Sequence, residues 1–236
     1  LHRVDRRQRQ MCIRDSYGLE YGARFAADAA IYNLCGLLAS QCFAYTYYRV
    51  SQRTASLAIT SGLALAGYLL PAFMVSQTNP TRLTALFIAI ISTTLFCLLL
   101  RGNPDKQIVK SRPCSARLIA KRLIFTAALV LIVTECADIV GPGWAGLFSA
   151  FPVALYPLVL LLHREYGPDT ARTILGNFPY GLWSVIGYTL AVSLLYPKYG
   201  VIWGTLLGFA VATTILAIIG IKPLLAYWKS SGQNAT

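Results

Sequence analysis

RLTALFIAIISTTLFCLLL, residues 82–100, carries no charge after Arg82. A helix crosses the hydrocarbon core of a bilayer with about 20 apolar residues. The stretch therefore reads as a membrane-spanning helix bounded by the cations Arg82 and Arg101. Similar apolar blocks lie on either side. They predict helices at about 25–48 and 54–76 upstream, and at about 118–140, 144–163, 173–196 and 200–222 downstream. The fold class expected is all-α, a polytopic transmembrane helix bundle of about seven helices. An outer-membrane barrel would show short alternating segments instead.

Composition agrees. The chain is 56% hydrophobic and 13% charged, whereas a soluble domain carries about 25% charged residues. The net charge of +12 sits in the segments between apolar blocks, so it argues against nucleic acid as a partner. The loop 101–117 decides orientation. Arg101, Lys106, Lys110, Arg112 and Arg117, with Lys121 and Arg122 just beyond, oppose only Asp105. That end is expected in the cytoplasm, and the chain in a bacterial inner membrane. The six cysteines form no CxxC pair, and neither a disulfide framework nor a metal site is expected.

Residues 1–16 stand apart. RRQRQMCIRD, residues 6–15, resembles the translation of a transposase-based sequencing adapter, and such scars are excluded from fold reasoning. The segment is expected to lie outside the bundle, with upstream helices of the natural protein lost. It holds five Arg and two Asp, so the remainder carries 16 Lys+Arg against 7 Asp+Glu, or +9.

Glu20-Tyr21-Gly22 recurs as Glu165-Tyr166-Gly167, an offset of 145. Near that offset Gly36 meets Gly181, and Ala58-Gly62-Ala66 meets Gly204-Gly208-Ala212. The triplets place small residues one turn apart, a face that lets helices approach closely. These matches predict an internal repeat, with 17–100 as a partial first copy, 101–117 as a basic linker and 118–236 as the second copy. Five predicted helices separate the two Glu-Tyr-Gly sequences. An odd number gives an inverted-topology repeat, as in many transporters, and a count changed by one gives a parallel repeat.

GPGWAGLFSAFPV, residues 141–153, resembles the hallmark of a family of bacterial multi-pass membrane proteins without an established activity. Its pattern is a Gly-Pro turn, a small-residue segment ending in Phe-Pro, and a His near the cytoplasmic helix end, here His163 followed by Gly167. The resemblance implies fold and membrane location only.

Several residues carry candidate chemistry. Glu135 and Asp138 share a face of the fourth predicted helix, with Glu135 about 20 Å along it from Arg122. A carboxylate at that depth is costly and marks a candidate for proton or substrate binding. Gly141-Pro142-Gly143, Pro152, Pro157 and Pro179 are expected to break helices, freeing carbonyls to line a site. Asn33 and Asn177 fall near equivalent repeat positions, with Asp28 close to Asn33. His163 reads as an interfacial anchor, with a functional imidazole as the alternative. No Walker A, G-x-S-x-G or H-E-x-x-H motif is present, and no enzyme activity or cofactor is expected. The function expected is a permease of a small substrate, with proton coupling. The alternative is a non-transporting subunit or scaffold that docks a partner protein through its small-residue faces. Lipid, a small molecule and a second copy of the chain are the partners foreseen.

Overall fold

The computed structural model describes residues 2–100, 120, 123–128, 131, 144 and 146–233. Every element among them is helical. In order they are α1 (His2–Ser51), α2 (Leu57–Ser76), α3 (Arg82–Leu100), α4 (Leu155–Tyr166) and α5 (Pro168–Gln233). Residues 123–128 and 146–150 are also helical. Among the described residues, three helices are long and apolar enough to cross a membrane: α2, α3 and the Pro168–Ile219 stretch of α5. Such helices suggest a membrane protein, as read from the sequence.

α3 covers the residues expected for it, beginning at the cation Arg82 and running to Leu100, the last described residue before 120. α1 differs from expectation. It begins at His2 and continues without interruption through the adapter-like segment. The 173–196 and 200–222 helices run together as α5, whose one non-helical residue is Gly200, at φ 72° and ψ 178°. Glycine alone enters that backbone region readily.

The chain divides into two compact units. One comprises Asp28–Leu182. Its centre is the second half of α1, where Leu34, Cys35, Phe43, Ala44 and Tyr47 are fully buried. α2 turns Thr60, Ala64, Tyr68 and Ala72 inward, at one-turn spacing, and leaves Leu69, Leu70, Phe73 and Met74 exposed. α3 likewise buries Ala85, Ala89, Ser92, Thr93 and Phe96 while Leu83, Phe87, Ile91 and Leu95 face outward. Phe43, Phe151 and Tyr156 pack edge to face at 5.6–6.0 Å between ring centres, with Tyr68 at 4.9 Å from Phe151.

The other unit comprises Leu1–Ala27 with Trp183–Thr236. In it the chain reverses at Gly200, and the two arms of α5 pack on each other. Tyr196 covers Gly204 and donates to or accepts from Thr205 at 2.7 Å. Tyr188 covers Gly208 and stacks near Phe209.

Small-residue matches that predicted a repeat have unlike surroundings. Glu20-Tyr21-Gly22 lies within helix, whereas Gly167 ends α4 at φ 88°. A Cβ on Gly36 would strike Ala150, while one on Gly181 would meet nothing. Gly62 faces open space, whereas Gly204 and Gly208 lie under tyrosines.

A polar seam as the candidate functional site

Asn33, Ser40 and Tyr47 are spaced seven residues apart on α1. Seven residues are close to two helical turns, so the three form one stripe about 21 Å long. Each reaches the same later segment of chain. The Asn33 amide donates to Ser149 Oγ at 2.6 Å and to the Gly146 carbonyl at 3.4 Å. The Ser40 hydroxyl donates to the Ala150 carbonyl. The Tyr47 hydroxyl lies 2.7 Å from Nδ1 of His163. A polar seam thus joins α1 to residues 146–163.

Close approach is what allows these bonds. A Cβ on Gly146 would overlap the Ala29 carbonyl and Tyr32, and one on Gly36 would lie 2.6 Å from Ala150 Cβ. Both glycines keep the backbones near enough for short side chains to bridge them. The seam continues sideways to α3, where the Gln41 amide donates to Thr93 Oγ1 at 2.9 Å and to Ser92 Oγ at 3.5 Å. Gln41 is fully buried, and its Oε1 has no partner among the described residues.

The segment opposite α1 is broken where Pro152 predicts it. Residues 151–154 are non-helical, and α4 starts anew, with Tyr156 N–H bonded to the Pro152 carbonyl. Phe148 cannot receive the usual N–H four residues on, because that residue is Pro152. It accepts from Phe151 instead, and Val153 N–H turns back to Phe151. The freed carbonyls of Leu147 and Ala150 are taken by Tyr68 and Ser40. The sequence reading has such carbonyls lining a site, but here two of them are closed by hydroxyls of α1 and α2.

Pro157 and Pro179 are corrections to that reading. Pro157 stands in the first turn of α4, where its missing N–H is no loss. Pro179 is buried inside the helical part of α5. Neither interrupts its helix. Asn177 is exposed and returns its amide to the Thr173 carbonyl of its own helix at 3.0 Å. Asp28 is exposed. Asn33 and Asn177 thus sit in different surroundings rather than in matching halves of a site. Glu135, Asp138, Gly141, Pro142 and Gly143 lie outside the described residues.

His163 is the residue that sequence reasoning misplaced. It is 5% exposed and paired with a tyrosine, so it does not extend to an interface. Nearby, Arg172 donates to the Ser51 carbonyl at 2.9 Å and pairs with Asp169, fixing the end of α1 to the start of α5. The seam's signal in the sequence is the seven-residue spacing of Asn33, Ser40 and Tyr47 within an otherwise apolar stretch. Comparisons with family models, with curated proteins and with solved structures return no match to the chain.

Proposed function

We propose that the chain is a multi-pass permease of a small solute, coupled to protons, with the α1 seam as a wall of its path. The observation that carries this reading is the polarity of the Asp28–Leu182 unit. Ser40, Gln41, Thr60, Ser92, Thr93 and His163 are buried, while large apolar side chains of α2 and α3 are exposed. In lipid, polar side chains that face the bundle interior mark solute or proton paths. A break at residues 151–154 beside the seam fits a permease, where discontinuous helices border the binding site. Glu135 and Asp138 remain the carboxylates proposed to carry a proton, and the 101–117 loop is proposed to be cytoplasmic in a bacterial inner membrane.

The test uses the purified chain in liposomes with an imposed proton gradient. A mixture of radiolabelled amino acids, sugars and nucleosides is offered outside. Accumulation above that of protein-free vesicles, abolished by a protonophore, supports the reading. A second reading, docking of a partner protein, is favoured by the open Ala58-Gly62-Ala66 face of α2. The corresponding face at Gly204 and Gly208 is covered by the chain's own tyrosines. Absence of uptake, with a second protein recovered in fixed ratio from the native membrane, would favour docking.

A further inference from the structure

We infer that Tyr47 and His163 form a proton-binding site inside the helix bundle, at His163 Nε2. On the permease reading, on which its coupling role rests, this site is a second carrier of the coupled proton, at one end of the seam, in addition to the carboxylates Glu135 and Asp138.

The geometry is a closed pair with one open atom. Tyr47 is fully buried, His163 is 5% exposed, and Oη and Nδ1 lie 2.7 Å apart. The rings meet edge to face at 5.8 Å. Both backbones are pinned. Gly167, in its left-handed conformation, donates its N–H to the His163 carbonyl at 3.1 Å. Tyr47 sits within the central helix, with Phe43 at 6.3 Å. Nε2 is buried and has no hydrogen-bond partner among the described residues.

The proton count follows from the two neutral forms of imidazole. When Tyr47 donates to Nδ1, the ring proton is on Nε2. When Nδ1 carries the proton and donates to Oη, Nε2 presents a lone pair. A proton arriving at that lone pair makes one N–H bond and gives an imidazolium, with Nδ1–H still held by Tyr47. Release from either nitrogen restores a neutral ring, and Tyr47 can serve as donor or acceptor in turn. No electron is transferred. Imidazole is the side chain best suited to such exchange in the physiological range.

The charged groups on the surrounding elements are exposed or engaged elsewhere. α2 contains no charged residue. Arg49 of α1 and Arg164 and Glu165 of α4 are exposed. Arg172 is directed to the Ser51 carbonyl and Asp169. Tyr156, two turns before His163, is bonded to Ser61. No carboxylate among the described residues is bonded to His163.

The chain has two histidines, so His2→Gln leaves His163 as the single imidazole. The full chain, labelled with 15N-histidine and held in lipid nanodiscs, is titrated by solid-state NMR. The expected result is conversion of Nε2 from neutral to imidazolium while the fold persists. Tyr47→Phe should shift the Nδ1 resonance and the tautomer ratio. In liposomes, His163→Gln should reduce proton-driven uptake to the level of empty vesicles. A His163 signal fixed in one neutral tautomer across the folded range overturns the proposal, whatever uptake is seen. Undiminished uptake by a folded His163→Gln variant overturns the coupling role and leaves the permease reading intact. Conversion at Nε2 without any wild-type uptake upholds the proton site and removes the permease reading. If His163→Gln does not fold, the titration and Tyr47→Phe decide alone.

Discussion

The hydroxyl of Tyr68 donates to the carbonyl oxygen of Leu147 at 2.6 Å, and both residues are buried. In an unbroken helix that carbonyl would receive the N–H of residue 151. Phe151 bonds to Phe148 instead, because Pro152 cannot supply the N–H that Phe148 needs. The tyrosine therefore repairs damage done by a proline five residues away from its acceptor.

Tyr68→Phe keeps the ring and its contact with Phe151 but leaves the Leu147 carbonyl without its donor. A buried unsatisfied carbonyl costs about 1–3 kcal/mol. The variant should unfold at lower denaturant in detergent or bicelles, with the break at 151–154 more open to hydrogen exchange. Stability equal to that of the parent would show that another donor replaces Tyr68.

Three glycine-to-alanine changes should separate close packing from mere helix composition. A Cβ at Gly36 would lie 2.6 Å from Ala150 Cβ and 3.5 Å from the Leu147 backbone, neither of which can rotate away. Gly36→Ala should destabilise by about 1–3 kcal/mol. At Gly67 the near atom is Thr46 Oγ1, also at 2.6 Å. That hydroxyl can turn aside, so Gly67→Ala should be milder. Gly62 has open space, and Gly62→Ala should stabilise by about 0.5–1 kcal/mol through helix propensity. Thermal unfolding of the three variants checks the order, and equal effects would refute it.

Gln41→Leu removes the bonds to Thr93 and Ser92 together with an oxygen that has no partner among the described residues. The buried Thr93 hydroxyl loses its donor, and loss of the unpartnered oxygen offsets that cost. The variant should stay within about 1 kcal/mol of the parent. If the seam borders a solute path, uptake should nevertheless fall. A stable variant with unchanged uptake would mean that Gln41 serves packing alone.

Cys114 tests the orientation proposed from the basic 101–117 loop. An impermeant maleimide added to intact cells should leave it unmodified, and labelling should appear once the membrane is permeabilised. Ready labelling from outside would reverse the topology.

Different parts of the structure were legible to different degrees. The start of α3 at Arg82 could be read to the residue, because an uncharged apolar run begins directly after that cation. The break at Pro152 was also readable. Pro157 was not, since a proline in a first turn and a proline in a break look alike in sequence. The Tyr47–His163 pair joins residues 116 apart, and only packing of α1 against α4 brings them together. The seam's spacing was visible, yet polar residues within an apolar helix do not announce their partners. Gly200 ends an arm of α5 through its backbone angle, which residue type alone permits but does not require.

The central position of α1 bears on how the chain enters a membrane. Asn33, Ser40, Gln41 and Tyr47 lie on a helix that packs against α2, α3 and residues 146–163, whereas α2, α3 and α5 hold the stretches apolar enough to cross. A segment with this many polar groups partitions weakly into lipid by itself. Its bonds to Thr93 and to residues 146–163 involve chain that the ribosome makes later. In a membrane, α1 would thus complete its polar bonds only after residues 146–163 have been made.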